Sequence, residues 1–468
     1  MRQLCASIVL LIASSLRAAE PSLSVGFGEC DVTPTIDPKK PVYMAGFGNN
    51  RIATKVHDPI VARAVVLSDG TKKIALVSVD LVGLFYPVAE AVRKNSKGFE
   101  HVAVSSTHNH EGPDTLGLWG PNRLATGVDD DYEKFVIDGI GKAIAAAEKS
   151  MQPAAAKIGT ASDASLLVDG RMPVVKHDEL VAIRFEPANG NSNEPKPFGI
   201  LVQWNCHPEL MDDKNTEITA DHVGYAVAHL KKKFDCPVAY FTGTVGGLMT
   251  NLNWPAKNDE GKELKDGTFE KTEAYGVAVG KLAEKALAKP VEAKLVPFDI
   301  RTQPILIPVE NNLYKVAAGA GIVKRKIYAW DGEATPKEWI EVKDVSKPVA
   351  LKTEVGLLKL GELDIAMIPG EIYPELVLDK IQDPVDAGAD YPDATKEPAI
   401  YPAMTGKFKM LFGLANDEIG YIIPKRQWDE KKPYCYGLKE AQYGEIKSCG
   451  PNVAMVIGAQ FGKLAAKK

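Results

Sequence analysis

A series of short, β-branched runs constrains this 468-residue chain most. “IVARAVVLS”, “KIALVSVDL”, “HVAVSST”, “LVAIRFE”, “GILVQWN” and “PVAYFTG” are bounded by turn residues and rich in Val, Ile and other apolar side chains. That is the pattern of buried strands. “KLVPFDIRTQPILIPVE” and “EVGLLKLGELDIAMIPG” follow in the second half. Between the runs lie stretches with apolar residues near a 3.6-residue period: “DYEKFVIDGIGKAIAAAEKSM”, “DHVGYAVAHLKKKF”, “EKTEAYGVAVGKLAEKALAK”, “IYPELVLDKIQ” and “NVAMVIGAQFGKLAAKK”. Strands and helices alternate early and strands dominate later. The expected class is mixed α/β, with layered β-sheets flanked by α-helices. The Pro-rich, acidic “QDPVDAGADYPDATKEPAIYP” reads as a long loop near a site. No repeat or low-complexity linker divides the chain, so residues 20–468 read as one domain.

The formal charge of −5 and the lack of any Lys/Arg run point away from a nucleic-acid partner. Residues 1–19 have a positive start at Arg2, an apolar stretch from Leu4 to Leu16, and Arg17-Ala18-Ala19. This is a signal-peptide pattern, implying a secreted or periplasmic protein with no transmembrane segment in the mature chain. Beyond Cys5 remain Cys30, Cys206, Cys236, Cys435 and Cys449. Cys435 and Cys449 flank a polar, Gly-punctuated stretch and are the expected disulfide of an exported chain. No CxxC pair offers a cysteine-based zinc site.

Only eight histidines occur, and two of them stand in “SSTHNHEGPDT”. His108 and His110 follow a strand, where α/β proteins place ligand sites. In an extended H-x-H both imidazoles point to one side and face one cation. Glu111 and Asp114 add acceptors, and Gly112-Pro113 forces a turn. The alternative is a pair of hydrogen-bonding surface histidines. His207, in “VQWNCHPELM”, repeats the strand-end logic and is the third candidate. His222 starts a helix with Asp221 as its cap, and His229 lies further along it. His57, His101 and His177 are isolated. No histidine follows His229, so a ligand from the second half must be a carboxylate, a tyrosine or a carbonyl. “DIAMIPGEIYPEL” places Glu371 at a strand-to-helix turn, and “LFGLANDEIGYIIP” delivers Tyr421 after a glycine turn. A helix-starting glutamate and a packed aromatic are the plain alternatives.

Taken in order, these segments resemble the neutral ceramidase family, in its zinc-bearing N-terminal domain. “VGFGECDVTP” resembles the family's opening strand, and “THNHEGP” its T-H-T-H-S-G-P. Asn205-Cys206-His207 resembles its second histidine segment, “ADHVGYA” its aspartate-containing helix start, and “PGE” with “NDEIGYIIP” its late acidic and tyrosine segments. The resemblance implies a zinc site of His108, His207, Glu371 and Tyr421. It makes His110 a neighbour that serves substrate or proton transfer, and Arg171 in “VDGRMP” a substrate-binding arginine. A secreted zinc-dependent amide hydrolase is implied, acting on a small-molecule or lipid amide such as N-acylsphingosine.

Three features depart from the family pattern. Where the family has Gly-Asp-Val-Ser-Pro-Asn, this chain reads “GTVGGLMTN”, with Thr250 the nearest hydroxyl. That favours a water nucleophile over serine. Glu111 replaces the serine after H-x-H, an added carboxylate expected to alter pKa values near the metal. The chain ends at Lys468, short of the family's C-terminal β domain. Competing readings are a zinc hydrolase of another amide or ester, and a non-catalytic binding protein on the same scaffold. An amidohydrolase barrel needs later histidines, and a serine hydrolase lacks its G-x-S-x-G.

Overall fold

A computed structural model describes residues 22–188, 195–258 and 260–467. The expected leader, residues 1–19, lies outside them. The larger sheet runs Val238–Thr242, Gly199–Trp204, Glu179–Pro187, Gln152–Ser162, Ser24–Asp31, Val61–Ser68, Lys73–Val79, His101–Ser106. Val291–Ala293 adds to the edge of Gln152–Ser162 that Ser24–Asp31 leaves open. The sheet curls until its end strands meet. Thr242 Oγ1 donates to Thr107 O at 2.8 Å, and Ser78 Oγ donates to Tyr240 O.

The second sheet runs Phe298–Val309, Val349–Leu360, Leu363–Met367, Phe408–Phe412, with Ile327–Ala329 beside Val349–Leu360. The two sheets share one apolar layer, in which Val25, Leu76, Phe185 and Phe241 meet Leu358, Ile365, Met410 and Phe412. Phe241 and Phe412 stack at 4.1 Å between centroids. Each such ring contributes roughly 1.5–3 kcal/mol on burial. Helices cover the outer faces. Asp130–Lys149 packs on Ser24–Asp31 and Val61–Ser68, its Asp129 cap accepting from Asp131 N at 3.0 Å. Asp221–Phe234 and Phe269–Leu287 cover the other half of the larger sheet, and Val453–Ala466 covers the second. The mixed α/β class and its layering are thus observed. Among the described residues no helix is long and apolar enough to cross a membrane.

Several expectations need correction. The helix expected over 372–382 is only Pro374–Leu378. Glu371–Ile372 is used instead as a short strand beside Tyr421–Ile422, and Asp379 turns left-handed. Cys435 and Cys449 are both free. Cys449 is buried in the second sheet's core, its thiol on Ile419 O, while Cys435 N is tied to Asp429 Oδ1 in a separate turn. Asp221 does not cap its helix: its carboxylate accepts from Met211 N and His222 N, and Asp58 from a distant loop receives Ala220 N and Thr219 Oγ1. The segment 382–402 is mostly irregular, with one helical turn at Ile400–Ala403. It packs on the segment after Ile422, through Asp390 to Trp428 and Glu397 to Lys425, and Tyr401 meets the His177 ring.

Candidate metal centre

Three parallel strand pairs converge: Lys73–Val79 with His101–Ser106, Gly199–Trp204 with Val238–Thr242, and Leu363–Met367 with Phe408–Phe412. Backbone bonds from Gly243 N to Trp204 O and from Gly413 N to Thr242 O hold their carboxyl ends together. His108 and His207 lie just past two of these ends, and Glu371 and Tyr421 follow the third pair in a short ladder of their own. Ligand sites of α/β sheets lie at such crevices.

An extended H-x-H would set both rings on one face. The chain instead leaves the strand at Ser106 and turns left-handed at His108, with φ of 68°. The rings still converge. His108 and His110 lie 4.8 Å apart between centroids, and His207 lies 4.7 Å from His108. Among the described residues, His108, His110 and His207 form a buried group whose ligand atoms all fall within 4.8 Å.

The partners of each ring decide its tautomer. His108 Nδ1 is 2.7 Å from Val82 O, and His207 Nδ1 is 2.8 Å from Met249 O. A carbonyl only accepts, so both protons sit on Nδ1. A ring with that tautomer and no second proton presents Nε2 as a lone pair. Yet His108 Nε2 faces Glu371 Oε2 at 3.3 Å, and His207 Nε2 faces the same oxygen at 3.1 Å. Lone pairs opposed to a carboxylate oxygen in a buried site fit a cation, and N/O donor sets with such outer partners are those of zinc and its neighbours. Tyr421 completes the group, with its hydroxyl 3.3 Å from His207 Nε2.

His110 differs. Its Nε2 lies 3.3 Å from His108 Nε2, but Nδ1 has no carbonyl partner. That nitrogen is 3.4 Å from Glu209 Oε2, close enough for charge attraction and not aligned as a hydrogen bond. Burial, then the neighbouring His108 and His207, holds His110 well below the usual imidazole range. Burial works to raise Glu371, but His108 and His207 outweigh it and hold the carboxyl well below its usual value. For His207 burial is outweighed by Glu209 and Glu371, and the net direction is up.

Arg171 is buried rather than exposed. Its fork meets Glu445 at 2.6 and 2.8 Å and also donates to Tyr443 O and Gln427 O. It stands against Tyr373, which in turn packs on Tyr421. The terminal N–H groups are committed to protein, so Arg171 supports the tyrosine wall from behind. Glu111 likewise turns to Arg51 and Asn215 rather than to the histidines, and Asp114 accepts from Leu116, Gly117 and Trp119 amides in its own turn. The segment 243–251 supplies Met249 O to His207. A Cβ at Gly246 would fall 2.4 Å from Tyr373 Cδ1, and Thr250 Oγ1 accepts from Leu252 N. His222 is a core residue between Asp221, Asn251 and Tyr240. His57 stacks on Phe269, and His229 pairs with Glu284 at 2.6 Å.

Sequence reasoning missed Glu209 and Glu418. Both are buried carboxylates with one unpartnered oxygen. Burial and the charge of Glu371 push Glu418 well above the usual carboxylate range. The available signal was proximity: Glu209 follows His207 by two residues, and Glu418 precedes Tyr421 by three.

A sequence model described as neutral/alkaline non-lysosomal ceramidase, N-terminal, matches residues 23–166, the part that carries His108 and His110. The structure is similar to that of neutral ceramidase from Pseudomonas aeruginosa, with a TM-score of 0.70 and 17% identity over 96% of this chain and 74% of that one. It is also similar to a ceramidase complexed with C2, with a TM-score of 0.69 and 15% identity over 95% and 75%. Residues 23–166 thus carry the sequence pattern of the neutral/alkaline ceramidase N-terminal family, and the described chain takes the neutral ceramidase fold.

Proposed function

We propose that the protein is a zinc-dependent hydrolase of N-acyl amides of the ceramide type, exported by the leader at its N-terminus. The observation that carries the metal reading is the meeting of both Nε2 atoms at one Glu371 oxygen, with both Nδ1 atoms held by carbonyls. His108, His207, Glu371 and Tyr421 would hold the ion. Bound there, zinc supplies an acidified water and polarises the amide carbonyl. His110 is the ring whose Nδ1 no carbonyl fixes. It is free to take up a proton at one nitrogen and give one from the other, as a donor to the leaving amine must. Tyr373, Tyr421 and Tyr443 pack edge to face and form an aromatic wall beside the group. A serine nucleophile has no room at Gly246, and Thr250 Oγ1 accepts from Leu252 N within its own turn, which favours water as the attacking group.

The purified mature protein is assayed for bound metal and for fatty-acid release from an N-acylsphingosine, with and without a chelator. The expected result is about one zinc per chain and release that the chelator stops and zinc restores. Metal-loaded, folded protein that releases no fatty acid overturns the ceramide assignment. Release that survives metal removal overturns the zinc mechanism.

A further inference from the structure

His110 sits in a box built by another segment. Gly46, at φ of +98°, lies against its ring, where a Cβ would come 2.4 Å from His110 Cγ. The Phe47 ring meets it edge-on at 5.1 Å. Arg51 ends this loop and ties it down. Its Nη2 donates to both Ala45 O and His110 O, and its Nη1 reaches Glu111 Oε2 at 3.1 Å and Asp212 O at 3.4 Å. The guanidinium lies 4.9 Å from the Phe47 centroid. Glu111 is fully buried, and Asn215 Nδ2 donates to the same Oε2 at 2.7 Å. One planar cation therefore joins the loop's carbonyl at 45, the histidine's own carbonyl at 110 and the carboxylate at 111.

We infer that Arg51 and Glu111 are positioning residues for His110: a buried hydrogen-bonded clamp that locks the Ala45–Arg51 loop onto the histidine's backbone and gives its ring one setting. The inference rests on the hydrolase reading above for its kinetic consequence, but not for the clamp itself. It also accounts for the carboxylate at 111, where the family resemblance leads one to expect serine. A serine hydroxyl at 111 is too short to meet both Arg51 Nη1 and Asn215 Nδ2 as the Glu111 carboxylate does. A buried ion pair adds little net stability, because desolvating both charges offsets their attraction. Its effect here is geometric. Misplacing a proton donor by about 1 Å costs on the order of 10²-fold in rate.

Arg51→Lys tests this most directly. Lysine keeps the charge but has no planar fork to span two carbonyls and a carboxylate. The clamp predicts a fall in kcat of tenfold to ~10²-fold with KM within about twofold and zinc content unchanged. Imidazole 15N resonances, assigned with His110→Ala, read the ring setting in zinc-free and zinc-loaded protein without any substrate. The His110 signals should shift or broaden while those of His108 and His207 stay in place. Wild-type kcat together with unchanged His110 signals overturns the proposal. So does loss of activity that only follows the folded fraction, with the His110 signals of the folded protein unaltered. If Arg51→Lys does not fold, Arg51→Met with Glu111→Leu removes both charges at similar volume, and the same resonances decide. An inactive wild-type enzyme would sink the ceramide reading alone, since the resonance test needs no turnover.

Discussion

His108 and His110 are neighbours in sequence with opposite surroundings. One ring spends its Nδ1 proton on Val82 O, and the other has no such partner. That contrast yields a prediction for single residues. His108→Ala and His207→Ala should each remove most bound zinc and all detectable turnover. His110→Ala should keep zinc near one per chain while kcat falls by roughly 10²–10⁴-fold, the usual contribution of a positioned acid or base. Metal analysis beside steady-state kinetics separates the two classes. Zinc lost from His110→Ala would make His108, His110 and His207 the ligand set instead. The gathering of His108, His110 and His207 was readable in the sequence, because each stands after a strand end beside a turn signal. The left-handed turn at His108 and the inward aim of Glu209 were not. The first is held by Val82 and Leu81 carbonyls just past a neighbouring strand end, and the second rests on a segment far along the chain, where the Pro208 carbonyl holds His110 N.

Elements follow the same division. Val- and Ile-rich strands and the helices Asp221–Phe234 and Asp130–Lys149 announce themselves by period and charge. Gln152–Ser162 does not: “QPAAAKIGTAS” has little β-branched character and becomes a strand because partners on both edges claim it. Tyr86–Asn95 is a helix that the apolar run before it concealed. The segment 243–251 shows how a turn outranks its own side chains. Gly246 N bonds Ile372 O, and no side chain fits at 246 between Tyr373 and the Glu371 backbone. Gly246→Ser should therefore cost about 2 kcal/mol or more through overpacking. It should lower zinc affinity by shifting Glu371, and it should create no new nucleophile. Urea denaturation and zinc titration check both effects. A stable, zinc-tight Gly246→Ser variant with a serine-reagent-sensitive activity would show the turn to be more accommodating.

On the scale of the whole molecule, two buried histidines outside the candidate ligand set contribute to the response to acid. Burial, reinforced by Arg93, holds His101 down at about 3, and burial, with Lys380, holds His177 at about 4, against the usual 6.5. The unfolded chain takes up these protons below pH 6.5 while the folded chain does not. The stability is therefore complete above pH 6.5 and drains as pH falls toward 4, by up to about 1.4 kcal/mol per unit for each ring. His177 faces Thr244 and Tyr401, and His101 faces Arg93 and Glu354. His177→Gln should flatten the loss, read as melting temperature between pH 7 and 4.5. An unchanged slope would assign the acid response to other groups. The converging strand ends carry a different consequence. His108 and His207 follow strands of the larger sheet, while Glu371 and Tyr421 follow strands of the second sheet and pair in a short ladder of their own. No half of the chain holds a full set of donors. A cation would thus be captured only after the two sheets have docked, so it can reward completed assembly but cannot seed it. Zinc would then slow escape from the native state and leave the rate of reaching it unchanged.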